Sequence, residues 1–195
     1  MQHIPRSSLA AALFGAISLA APFAVAPAQA AGFTLSSPDI KAGGTIPKSF
    51  EYNSFGCSGE NKSPALKWSA APKGTKSFAV TVHDPDAPTG SGWWHWMVIN
   101  IPASVTELPG NAGAADSTTL PAGAVQSRND YGTHAWGGVC PPPGDKPHRY
   151  VFTVYALGVD KLDVPADATA ALTGFMIHGN MLAQASFTAH YGRPK

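Results

Sequence analysis

Proline and glycine punctuate this chain from end to end. There are 18 prolines and 20 glycines among its 195 residues, spread throughout. Proline removes a backbone donor and glycine weakens a helix interior, so long helices have few places to form. Short strands joined by many turns suit such a sequence. Residues 77–83 alternate, with Phe78, Val80 and Val82 on one face and Ala79, Thr81 and His83 on the other. Residues 94–101 are largely apolar on both faces, which predicts a central strand. His95, Met97, Ile99 and Ile101 would share one face, and Trp94, Trp96, Val98 and Asn100 the other. Residues 149–157 form the third strong strand, with weaker ones over 33–36, 65–68 and 186–191. Residues 103–123 read as a surface connection and 131–147 as a loop. Helix signals come only late. Asp167 can cap a helix over 168–173 stopped by Gly174, and 176–185 is a second candidate. The expected fold class is mainly β, with short helices near the C-terminus.

The first 30 residues stand apart. Arg6 gives a positive start, residues 9–25 are apolar and uncharged, and Ala28-Gln29-Ala30 is an A-x-A site. This pattern predicts a signal peptide over 1–30, cleaved near Ala30, and a single domain over 31–195 that is periplasmic or secreted. Of 13 basic residues only Arg6 lies in the leader, so as many bases remain as there are acids, 12. No basic patch exists to hold nucleic acid, and no further apolar segment is long enough to span a membrane. In an exported chain Cys57 and Cys140 are expected to form a disulfide, the alternative being two buried thiols. Neither has a neighbouring ligand at metal-site spacing, so no metal is expected.

Chemistry concentrates in three segments. Asp84-Pro85-Asp86-Ala87-Pro88 holds two stiffened carboxylates that can accept hydrogen bonds or orient a histidine, although Asp and Pro are also ordinary turn residues. His95 follows Trp93 and Trp94 in an apolar strand. His148-Arg149-Tyr150 follows the Cys140-Pro141-Pro142-Pro143-Gly144 run at the mouth of another strand. Either histidine alone would read as structural. Together with Asp84 they could converge at one edge of a sheet. Trp93, Trp94, Tyr150 and the prolines would wall the site, with Tyr131, His134 and Trp136 at its rim. Core packing is the competing role for the aromatics.

At these residues the chain resembles the phosphatidylethanolamine-binding protein family, also called the Raf kinase inhibitor protein family. The likeness is to its bacterial YbhB/YbcL-like branch. The DPDxP signature falls on Asp84 to Pro88, the tryptophan-histidine strand on Trp93 to Asn100, and the Pro-Pro segment with its His-Arg-Tyr strand on Pro141 to Tyr150. Further matching pieces are CSGENKSPALKW, GTKSFAV, QSRNDYG and PHRYVFTVYAL. The resemblance spans residues 33–193. It implies a large antiparallel sheet, a smaller second sheet and a shallow anion pocket at one end. The residues it assigns to ligand binding are Asp84, Asp86, Trp93, His95, Cys140, Pro141, Pro142, His148 and Tyr150. Two departures stand out: Lys146 where the family commonly has Gly, and His83 where related bacterial chains often carry an acid.

The resemblance implies a non-enzymatic binding protein for a small anionic or phosphate-bearing ligand, without cofactor, that modulates or inhibits another protein. A protein target and a homodimer are both left open. The alternative is a hydrolase using Asp84 with His95 or His148 as acid and base, against which stands the lack of a recognisable nucleophile or metal motif. No lysine or arginine evidently points into the pocket, so protonated His95 or His148 is expected to supply positive charge to an anion.

Overall fold

The computed structural model describes residues 32–195. The expected leader lies outside the described residues. Eight strands and one helix follow in order: β1 (Thr34–Ser36), β2 (Leu66–Ser69), β3 (Ser77–Asp84), β4 (Trp93–Pro102), β5 (Glu107–Leu108), β6 (Val125–Gln126), β7 (His148–Leu157), α1 (Ala170–Gly179) and β8 (Met181–Tyr191). They form two antiparallel sheets, a small one in the order β1-β2-β5 and a large one in the order β6-β4-β3-β7-β8.

The main core lies between the sheets. Leu35, Leu66 and Trp68 from the small sheet meet Phe78, Val80, Trp96, Val98 and Phe152 from the large one. Trp68 sets its edge against Phe78 with ring centroids 5.4 Å apart. The outer face of the large sheet is also covered. There Ala79, Met97, Ile99, Tyr155 and Leu157 pack with Leu162, Ala170 and Ile177. Burial on both faces explains why β3 and β4 are apolar on both sides. Among the described residues no helix is long and apolar enough to cross a membrane.

The strict alternation expected for β4 fails at two bulges. His83 pairs with Trp94 while Val82 pairs with Trp96, which leaves His95 as the extra residue. A second irregularity falls between Phe78 and Val80, opposite Asn100, whose φ is 59°. Parity therefore shifts twice. Trp94 joins Met97 and Ile99 on the outer face, and Ile101 joins Trp96 and Val98 inside.

Two expected helices are replaced by one. Thr169, rather than Asp167, caps α1 by accepting the Leu172 N–H at 3.2 Å, and Gly174 lies inside the helix. Residues 181–185, expected as helix, belong to β8, where Ala183, Ala185, Phe187, Ala189 and Tyr191 all face inward. Pairing with β7 along the whole strand outweighs the helix preference of a short Met-Leu-Ala-Gln-Ala run. The connection over 103–123 is not wholly on the surface either, because it contributes β5 and buries Leu108 and Ala112 completely.

Candidate functional site

The β4 bulge turns His95 inward at the end of the large sheet. Its Nδ1 lies 2.7 Å from the Gly137 carbonyl and 3.1 Å from that of Gly138. The two glycines permit this approach: a Cβ on Gly137 would clash with the Tyr131 ring, and one on Gly138 with the backbone of residues 50–52. Asn61 fixes the same stretch by accepting the Gly138 N–H at 2.7 Å. Asn129 ties it to β4, its buried amide donating to the carbonyls of His95 and Ala135.

Asp84 ends β3. Its Oδ2 accepts from Nδ1 of His148 at 2.7 Å, and its Oδ1 accepts the Asp86 N–H at 2.8 Å. Both members of the Asp84–His148 pair are buried. The second ring nitrogen of His148 lies 3.5 Å from Asp145 Oδ2.

Beside these residues opens a cavity of about 270 Å³. Asp84, Trp93, His95, Cys140, Pro141, Pro142 and His148, all expected as ligand residues, line it together with Phe55, Ala87, Pro88, Thr89, Tyr131 and Arg193. Two expected ligand residues lie elsewhere. Asp86 faces outward in a bidentate pair with Arg149, with Oδ1 to Nη2 at 2.7 Å and Oδ2 to Nε at 2.9 Å. Hydrogen bonding from Arg149 holds its carboxyl at about 2. Tyr150 lies behind the wall, fully buried, with its ring edge-on to His95 at 5.1 Å. Of the other expected wall and rim residues, Trp94 stacks on His83 at 4.2 Å instead. His134 is exposed and bonded to the Gln126 carbonyl, and Trp136 is part of the core. Tyr131 does line the cavity, its hydroxyl donating to Gly138 at 3.0 Å.

The electrostatics differ from the expectation in two ways. Burial lowers the His95 pKa to about 4, so its imidazole is neutral at ordinary pH. Positive charge is brought instead by Arg193, two residues beyond β8. Its Nε donates to the Pro141 carbonyl and its Nη1 to the Gly56 carbonyl, each at 2.7 Å. No carboxylate among the described residues pairs with it. Three buried polar atoms in and behind the wall have no hydrogen-bond partner among the described residues: Trp93 Nε1, His95 Nε2 and the Tyr150 hydroxyl. Burial pushes the Tyr150 hydroxyl far above its ordinary range, so it stays protonated. Cys57 and Cys140 are joined in a disulfide, which places Cys140 in the wall as half of a bridge. Among the described residues no group of three or more His, Cys, Asp or Glu is placed to hold a metal ion.

The family model for phosphatidylethanolamine-binding protein matches residues 36–192, which takes in β2 to β8, the last residue of β1 and every cavity residue except Arg193. The chain belongs to the phosphatidylethanolamine-binding protein family. Within that family it is 56% identical over 164 residues to the UPF0098 protein YbcL of Escherichia coli K12, covering 84% of this chain and 90% of YbcL. It is 46% identical over 157 residues to the UPF0098 protein YbhB of the same organism, covering 80% of this chain and 98% of YbhB. The crystal structure of E. coli YbcL superposes with a TM-score of 0.81 at 55% identity, covering 83% of this chain and 98% of that one. The phosphatidylethanolamine-binding protein fold thus accounts for the two sheets. Phe55, Thr89 and Arg193 are lining residues outside every segment that sequence reasoning singled out for chemistry, and Ala87 and Pro88 were noted only as part of the turn. Phe55 sits in a polar loop with φ of 54°, and Arg193 lies outside every recognised motif.

Proposed function

We propose that this chain is an exported, non-enzymatic binding protein whose cavity takes a small anionic or phosphate-bearing ligand, and that it acts by modulating or inhibiting another protein. The observation that carries the reading is Arg193: a guanidinium without a carboxylate partner among the described residues, at a cavity walled by Phe55, Pro88, Trp93, Pro141 and Pro142. Such a site gives one strong charge-assisted anchor within apolar walls. The non-enzymatic part is supported by the wall's own chemistry. The Thr89 hydroxyl donates to the Gly92 carbonyl, the Tyr131 hydroxyl donates to Gly138, and the Cys140 sulfur is bridged. The leader pattern and the disulfide support export.

Native mass spectrometry of the protein taken from its own cell envelope should find a small phosphate-bearing or otherwise anionic molecule bound. Calorimetry with inorganic phosphate should show binding that Arg193→Ala weakens by about tenfold or more, the scale of a lost charged hydrogen bond. Unchanged affinity in that variant would remove the basis of the reading. The buried Asp84–His148 pair favours one second reading, a hydrolase in which Asp84 orients His148 as general base. Turnover of ester or phosphoester substrates that Asp84→Asn abolishes, with the fold intact, would put that reading first.

A further inference from the structure

His95 holds an unused hydrogen-bond acceptor in the wall of the cavity. Carbonyl oxygens only accept, so the short contacts from Nδ1 to Gly137 and Gly138 place the ring proton on Nδ1. The ring is 2% exposed, and its Nε2 has no partner among the described residues. Burial keeps the ring from taking a second proton until about pH 4. Nε2 is therefore a bare lone pair in the wall of a site that also holds the Asp84 carboxylate.

From this geometry we infer that the ligand must bring its own hydrogen: the cavity selects a phosphate group that still carries a P–O–H, as inorganic phosphate does and as a phosphate monoester does only in its monoanion, and that hydrogen donates to His95 Nε2. This rests on the oxyanion reading of the same cavity and narrows it. The unprotonated ligand oxygens would accept from Arg193 and from the Trp93 Nε1–H, which is also without a partner among the described residues. Sulfate and phosphate diesters carry no O–H near neutral pH. Either one would set an oxygen lone pair against the lone pair of Nε2, and sulfate would also bring a second negative charge beside Asp84. A site built to bond a particular hydrogen discriminates strongly against analogues that lack it.

The other ionisable groups around His95 come from every neighbouring element: Asp84 and His83 from β3, His148 and Tyr150 from β7, Tyr131 from the loop before β7, and Arg193 after β8. Titration of any of them would alter the binding of every anion. Titration of the ligand alters phosphate alone, because the charge of sulfate is constant over this range.

Calorimetry at pH 5 and pH 8 with methyl phosphate, sulfate and dimethyl phosphate tests the inference. At pH 5, where methyl phosphate carries one P–O–H, it is expected to bind about tenfold or more tightly than the other two. At pH 8, where it is mostly the dianion without a P–O–H, its affinity should fall several-fold relative to that of sulfate. Equal binding of all three at pH 5, or sulfate gaining affinity in step with methyl phosphate as pH falls, would overturn the inference and leave the oxyanion cavity standing. No binding of any of the three would overturn both. In His95→Gln the side-chain amide can turn its NH2 towards the ligand, and the preference for methyl phosphate over sulfate should collapse to near unity. Nitrogen NMR of the unsubstituted protein reads the ring directly. Nε2 should resonate as an unprotonated nitrogen from pH 5 to 8, and a protonated Nε2 would refute the selection whatever that variant does.

Discussion

Asp84 and Asp86 stand two residues apart and have opposite roles. Pro85 and the hydrogen bond from the Asp86 N–H to the Asp84 carboxylate turn the chain at the end of β3, leaving Asp84 buried under the cavity and Asp86 outside against Arg149. Read as a sequence, the two acids look like one pair, because nothing in DPDAP says which side of the sheet each one faces. The strand alternation of β7 did place Arg149 opposite His148, yet its partner could not be read from periodicity. Arg193 was less legible still, since no motif surrounds it and only the folded path of β8 brings it to the cavity. Asp86 should leave a specific pH signature. Its carboxyl is held at about 2 against an ordinary 3.8, so its stabilisation is complete above 3.8 and is lost as pH falls to about 2. Asp86→Asn should lower stability slightly at pH 7, and the gap from the parent protein should close across that window in acid-unfolding curves. The effect is small because solvent screens the exposed Arg149 side chain. Asp84→Ala should do more harm. It leaves the buried His148 Nδ1–H and the Asp86 N–H without an acceptor, a loss of about 1–3 kcal/mol for a buried group left unsatisfied, measurable by urea denaturation.

At the scale of elements, the strong strands were legible because β3 and β7 alternate cleanly and pair over most of their length. The bulges of β4 were not, because a bulge adds a residue without any compositional mark, and here one falls on a histidine and the other on an asparagine. The same bulge that spoiled the alternation is what delivers His95 to the cavity wall. Helix α1 was misread for a different reason. Gly174 looked like a stop signal, but burial of Ala170, Thr173 and Ile177 along one stripe carries the helix through it. That makes Gly174 a weak point that can be improved. An added Cβ there meets nothing within 4 Å, and the residue has an ordinary helical backbone. Gly174→Ala should therefore stabilise the protein by about 0.5–1 kcal/mol. The gain should show as a higher urea midpoint with an unchanged slope. A destabilised variant would mean that the helix does not hold its form at residue 174 in solution.

Over the whole molecule, the cavity wall is made by segments far apart in sequence, and the disulfide joins two of them. Cys57 and Cys140 are 83 residues apart, and between them lie both bulges of β4 and the loop that carries Asn129 and Tyr131. In the chain-entropy view a bridge of that span restricts the unfolded chain and stabilises the native state by about 4–5 kcal/mol, less any native strain. The same two segments are also held without the sulfurs, because Arg193 donates to Gly56 on one side and to Pro141 on the other. The bridge therefore acts chiefly on the unfolded ensemble, and the arginine on the shape of the folded wall. Replacing Cys57 and Cys140 together by serine should cost several kcal/mol in denaturant unfolding, yet leave phosphate affinity within a few-fold of the parent where the variant is still folded. Arg193→Ala should show the converse, with a modest loss of stability and a large loss of affinity. If the serine pair lost as much affinity as the arginine variant while remaining folded by circular dichroism, the disulfide would itself be shaping the wall, and the division between the two devices would fail.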